Sequence, residues 1–290
     1  MAQQKSWRDG ALQLTTLPLV LVFAAFFLVP LAMTAVLSFQ GMQNYRLSWT
    51  WNLAIWSDVF SQWHYWSIMG RTLGMASVAT GLCVLIALPV AYALVTRLQK
   101  WADHVMVLVV FAFLTDAVLK TFGWVLFLDR SGVMNGMLEV LGLGKAAVDV
   151  LFSPFATMIG MVYNLLPYAI FTIALSMART DRDLVLAAYD SGASRWRALR
   201  EITLPLAWPG IVAGGVLVFV LSLGVFLEPK VMGGGTSPMA AELIRQSFET
   251  RVNWPLGAAL TLVLIVIGAV SLIAIGGLAF FAARKRGVRV

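Results

Sequence analysis

Six long, nearly uncharged apolar stretches constrain this 290-residue chain more than any other feature. They run over Leu14–Leu37, Ile68–Val95, Val105–Leu128, Phe155–Ala178, Pro209–Leu227 and Leu256–Ala283. At 1.5 Å per helical residue, about 20 residues cross the roughly 30 Å of hydrocarbon in a bilayer. Hydrocarbon offers the backbone no hydrogen-bond partner, so each stretch must satisfy its own amides as a helix. With 60% hydrophobic and only 12% charged residues, a soluble domain is excluded. The expected fold class is an all-α membrane protein of about six transmembrane helices, forming one domain over residues 1–290. Lys5 and Arg8 precede the first stretch as they would in a signal peptide. That stretch exceeds a typical signal core, however, and reads as an uncleaved span.

The net charge of +7 is distributed as membrane topology requires, between spans and at the ends, and does not point to nucleic acid. If the N-terminus is cytoplasmic, then Arg97 and Lys100, the basic segment 179–200, and Arg284, Lys285, Arg286 and Arg289 also face the cytoplasm. Thirteen of the 21 Lys and Arg residues then lie inside, which favours this orientation and puts both termini in the cytoplasm. Cys83, the single cysteine, sits within an apolar run and cannot form an intrachain disulfide.

Enzymatic chemistry finds no support. The two histidines, His64 and His104, lie in different loops, and no zinc or nucleophile-elbow motif is present. Gly142–Ala147 faintly resembles a dinucleotide fingerprint, but no strand precedes it. No metal site is expected. A phosphate-binding Gly-x-x-x-x-Gly-Lys-Ser/Thr loop is absent, so the chain is not itself an ATP motor. A secondary transporter would be expected to show paired internal halves, and none is evident.

Five tryptophans (Trp49, Trp51, Trp56, Trp63 and Trp66) crowd the first outside segment, Ser38–Ser67. They suit an interfacial aromatic belt with a short surface helix, or a vestibule that stacks on a cationic solute. Ionisable groups at membrane depth are costly and mark candidate pathways. Asp116 and Lys120 lie four residues apart in the third span, where they can pair with each other or face a solute. Glu228 closes the fifth span. A carboxylate with aromatic neighbours such as Trp124 and Tyr163 can hold an ammonium group by charge and cation–π attraction.

Between the fourth and fifth spans lies a polar, basic segment, 181–205. Asp181–Ser191 and Arg195–Thr203 read as two short helices joined at Gly192, with Pro205 setting the turn into the next span. Ala187, Ala188, Gly192, Ile202, Leu204 and Pro205 resemble, in spacing, the Glu-Ala-Ala…Gly…Ile-x-Leu-Pro loop of type I ATP-binding-cassette importer permeases. Leu186 replaces the Glu. Thr121–Trp124, Gly132–Asn135, Val162–Pro167, Gly192–Trp196 and Asn253–Ala259 are similar to the spermidine/putrescine branch of that family, and the resemblance covers about 67–260.

The resemblance implies a type I importer permease fold in the bacterial inner membrane, crossing it several times. It implies that Leu186, Ala187, Ala188, Asp190, Gly192, Ala193 and Arg195 couple the chain to an ATPase, and that Asn164 joins Asp116, Trp124, Tyr163 and Glu228 along the solute pathway. The implied partners are a second, non-identical permease, two cytoplasmic ATPase subunits, an extracytoplasmic solute-binding protein and membrane lipid. No cofactor is expected on this chain; ATP and Mg2+ would be used by the ATPases. A polyamine such as spermidine or putrescine is the implied solute. Lys230 and Val225, however, stand where polyamine permeases commonly carry acids, which opens the alternative of an amino-acid-derived, zwitterionic solute.

Overall fold

Among the described residues, five helices are long and apolar enough to cross a membrane: Val20–Leu37, Trp63–Thr96, Pro154–Ala178, Arg195–Leu223 and Trp254–Ala279. A sixth crossing is available if the bent pair His104–Leu114 and Ala117–Val140 counts as one span. The computed structural model describes residues 2–43, 46–96, 98, 100–142, 149–179, 182–235 and 237–285. Arg97, residues 143–147, Asp181, Arg286 and Arg289 lie outside that set. The chain forms two compact units, Met1–Trp63 with Ile244–Val263, and His64–Leu243 with Leu264–Val290.

In the first unit, α1 (Ala2–Leu37) carries Phe23, Phe26 and Phe27, all well exposed, as a lipid-facing span demands. A short antiparallel hairpin follows, β1 (Gln40–Gln43) paired with β2 (Arg46–Trp51), with an irregularity in register between Gln40 and Gly41. Phe39 lies against Trp51 and Trp56, with ring centroids 5.8 and 5.7 Å apart. This fixes the hairpin against α2 (Ala54–Ser61), the expected short surface helix. Trp49, Trp51 and Trp63 remain largely exposed, as residues of an interfacial belt are.

The second unit is built around α3 (Trp63–Thr96), α7 (Pro154–Ala178) and α10 (Leu204–Leu223). Ala79, Cys83, Ala87 and Ala91 recur every four residues on α3, and each is fully buried. Such a stripe of small side chains lets helix backbones approach, the main source of cohesion where lipid removes the hydrophobic drive. Leu165, Ala169, Ile173 and Met177 of α7, with Ala207, Ile211 and Val218 of α10, pack into the same core. Thr72 of α3 donates to Ile68 O at 2.8 Å and accepts from Ala240 N, also at 2.8 Å. It thereby satisfies the first amide of the amphipathic helix α12 (Ala240–Glu249).

Two expectations need correction. The third apolar stretch is not one straight helix: α4 (Ala102–Leu114) and α5 (Ala117–Leu128) are separated by extended residues at Thr115 and Asp116, and a short α6 (Val133–Val140) follows. The Asp116 carboxylate accepts from Val118 N at 2.7 Å and starts a new helix, which breaks the old one. Pro205, in turn, does not end the second short helix of the polar segment. After α8 (Arg182–Asp190), α9 (Arg195–Ala198) runs through a π-helical turn, Leu199–Thr203, directly into α10. Leu204 N donates to Leu199 O, five residues back. The widened turn accommodates a proline that lacks an N–H and would crowd the carbonyl four residues earlier.

Candidate functional site

The candidate pathway residues collect where α5, α7 and α11 (Leu227–Val231) meet. Chain geometry makes this meeting possible at Gly160 of α7. A Cβ there would lie 2.6 Å from Met232 Sδ and 3.0 Å from Glu228 Cγ, so the missing side chain lets α11 seat against α7. Glu228 is only 5% exposed. Its Oε1 accepts from Asn164 Nδ2 at 2.7 Å, and the same amide nitrogen lies 3.4 Å from Thr121 Oγ1. Asn164 Oδ1 is buried without a hydrogen-bond partner. The result is a buried polar link between α5, α7 and α11, in which a charge-assisted bond offsets the cost of placing a carboxylate there.

Next to this link, Trp124 and Tyr163 meet edge to face, their centroids 5.5 Å apart. Both line a cavity of about 310 Å³, whose wall is completed by Lys120, Gly123 and Phe127. A second cavity of about 230 Å³ shares Lys120 and Tyr163 and is otherwise lined by apolar residues such as Val109, Leu166 and Ile170. Trp124, Tyr163, Asn164 and Glu228 are thus brought together, although neither Glu228 nor Asn164 lines either cavity.

Asp116 is placed differently. Among the described residues no ion pair joins it to Lys120, contrary to one reading of their spacing; Asp116 caps α5 instead. Lys120 Nζ reaches back across the helix break to donate to Ala112 O at 3.2 Å. That carbonyl lies in the last turn of α4, where unpaired C=O groups attract a cation. Of the two readings the sequence offers for Lys120, pairing with Asp116 or facing a solute, its place in both cavity walls fits the second. The Thr-Asp pair ahead of an apolar run was the available signal, since a capping Asp is already engaged.

The residues expected to couple to an ATPase occupy a separate, exposed element. Ala193 N donates to Ala188 O and Gly192 N to Tyr189 O, each at 2.9 Å, the paired closure of a helix end that needs a left-handed residue. Gly192, at φ +82°, supplies it. Ser194 then caps α9 by accepting from Arg197 N at 3.3 Å. Leu186, Ala187, Asp190, Gly192 and Arg195 are exposed, while Ala188 and Ala193 are half-buried. Leu184 and Trp196 add exposed apolar surface to the same element, which packs onto the π-helical turn.

Comparison with known proteins agrees with this architecture. Residues 84–286 match the family described as binding-protein-dependent transport system inner membrane component. The spermidine/putrescine transport system permease protein PotB of Salmonella typhimurium is 33% identical over 210 residues, 72% of this chain and 73% of that one. PotB of Escherichia coli K12 is 32% identical over 203 residues, covering 70% and 74%. The fold is shared with a bacterial alginate ABC transporter solved in complex with its alginate-bound periplasmic protein. There the TM-score is 0.73 at 18% identity, with 97% of each chain covered. The chain belongs to the inner-membrane permease components of binding-protein-dependent ABC import systems.

Proposed function

We propose that this chain forms half of a solute pathway, paired with a second, non-identical permease. Two cytoplasmic ATPase subunits would drive it and an extracytoplasmic binding protein would feed it. ATP and Mg2+ act on the ATPases, with no cofactor on this chain. The observation that carries the reading is the exposed α8–Gly192–α9 element, which emerges between two spans and continues through the π-helical turn into α10. A push on α9 therefore reaches a pathway-forming helix without crossing a flexible loop. The basic residues around this element support a cytoplasmic position for it and for both termini.

Leu186, Ala187, Ala188, Asp190, Gly192, Ala193 and Arg195 are the docking residues in this reading. Trp124 and Tyr163 line the pathway, and Asn164 and Glu228 shape it without lining it. Asp116 shapes it by starting α5. The relatedness to PotB supports a polyamine such as spermidine or putrescine as the solute. A second reading, an amino-acid-derived zwitterion, is favoured by the presence of Lys120 in both cavity walls.

The coupling role is tested by Gly192→Pro and Ala188→Trp in the assembled transporter in liposomes. The first variant removes the left-handed corner; the second adds bulk where α8 is half-buried. Each is expected to leave assembly intact and to abolish ATP hydrolysis stimulated by the loaded binding protein. Full stimulation in both variants would remove the docking assignment.

A further inference from the structure

We infer that Lys120 is a specificity-determining residue that receives a carboxylate of the transported solute, so that the cargo is a small carboxylate-bearing amine and not a polyamine. The inference rests on the permease reading above and names the solute class for the same site. Among the described residues, Lys120 is the only ionisable side chain lining the 310 Å³ cavity apart from the Tyr163 phenol, and the same holds for the 230 Å³ cavity. Both acids nearby are engaged elsewhere. Glu228 is buried and bonded to Asn164. Asp116 caps α5 through Val118 N.

An ammonium group has three donors, and one of those on Lys120 goes to Ala112 O. Two remain for a ligand at a wall otherwise made of aromatic and apolar side chains. A charged group at membrane depth without a dedicated acid in its cavity marks a pathway. A dication entering this cavity meets a fixed positive charge first. A solute with one carboxylate and one amine satisfies both features of the wall: its carboxylate at Lys120, and its ammonium against the faces of Trp124 and Tyr163.

The test uses probes matched in length. Putrescine and 4-aminobutyrate differ only at one end, amine against carboxylate, as do cadaverine and 5-aminopentanoate. The complete transporter in lipid nanodiscs is titrated with each by saturation-transfer difference NMR, which detects weak binding next to aromatic rings. Both amino acids are expected to bind, and the diamines to bind at least about tenfold more weakly. Lys120→Gln should weaken amino-acid binding about tenfold or more, and Lys120→Arg should retain it. In the unaltered protein, 4-aminobutanamide, which lacks the carboxylate charge, should also bind at least about tenfold more weakly than 4-aminobutyrate. This last comparison holds even if the Gln variant fails to assemble.

Diamine binding equal to or tighter than amino-acid binding overturns the inference. So does unchanged 4-aminobutyrate binding in Lys120→Gln, or no binding of any probe. Hydrolysis of ATP stimulated by the binding protein in the same nanodiscs separates the two levels of failure. If it is present while the probes fail, only the role of Lys120 falls. If it is absent, the importer reading falls with it.

Discussion

Asn164 Nδ2 donates to Glu228 Oε1 at 2.7 Å, joining two residues 64 positions apart in the chain. The bond fixes α11 to α7 beside the cavity and leaves the carboxylate one of the few buried acids of the protein. Its energetic weight lies less in the bond itself than in what its loss would expose. A polar side-chain bond between membrane helices averages only about 0.6 kcal/mol, whereas an orphaned buried acceptor costs about 1–3 kcal/mol.

Asn164→Ala is therefore expected to destabilise the permease by about 1–3 kcal/mol, seen as a lower unfolding temperature in nanodiscs. Adding Glu228→Gln should recover part of that loss, because a neutral amide is cheaper to bury than an unpaired carboxylate. A single variant as stable as the unaltered protein would show that the Glu228 carboxylate has another partner.

Asp116 should tolerate any side chain able to cap a helix. Asp116→Asn is expected to keep stability and uptake near normal. Asp116→Ala should cost about 0.5–2 kcal/mol, because it leaves Val118 N without its acceptor. The double variant Asp116→Asn with Lys120→Gln should behave like Lys120→Gln alone, since no ion pair joins the two residues. Rescue of one change by the other would restore the pairing that their spacing suggests.

The spans were legible in the sequence because hydrocarbon imposes a length and an apolar composition that few other structures need. The break at Thr115–Asp116 was hidden by apolar runs on both sides, so that only the capping chemistry of one Asp betrayed it. The hairpin of Gln40–Gln43 and Arg46–Trp51 was hidden in another way. Its tryptophans suit an interfacial helix as well as a strand, and only Phe39 packing on Trp51 and Trp56 decides between them. For the site, Trp124, Tyr163 and Glu228 could be named by type. Which acid stays out of the wall, and which cation lines it, depends on helix rotation and on contacts such as Gly160 against Met232 that no local pattern encodes.

Topology is open to direct chemical labelling. A cysteine at Ser194, in the cap of α9, should react with a membrane-impermeant thiol reagent only from the cytoplasmic side. One at Ser237, just before α12, should be accessible only from the outside, if at all, because Ser237 is largely buried. Cys83 is fully buried and should give little background. Labelling of Ser194→Cys from the outside would reverse the charge-based orientation and with it the coupling assignment.

The π-helical turn offers the most specific test of how motion at α9 could reach α10. A π turn holds one residue more than the α-helix it interrupts and spreads that residue over one wider turn, so the helices on either side keep their register. Deleting Arg200, an exposed residue within Leu199–Thr203, should let the segment close as ordinary α-helix with α9 still in its present rotation relative to α10. One alanine inserted after Trp196, outside the widened turn, should instead turn the preceding part of α9 by about 100°, while α10 keeps its packing on α7. The lengthened protein is expected to assemble in the membrane but to lose stimulated ATP hydrolysis by about tenfold or more. The deletion and Arg200→Ala both keep the rotation and should retain most of the stimulation. If the insertion and the alanine variant hydrolyse ATP alike, the orientation of α9 is not what couples the two helices. If the deletion loses activity while Arg200→Ala retains it, the width of the turn matters in its own right.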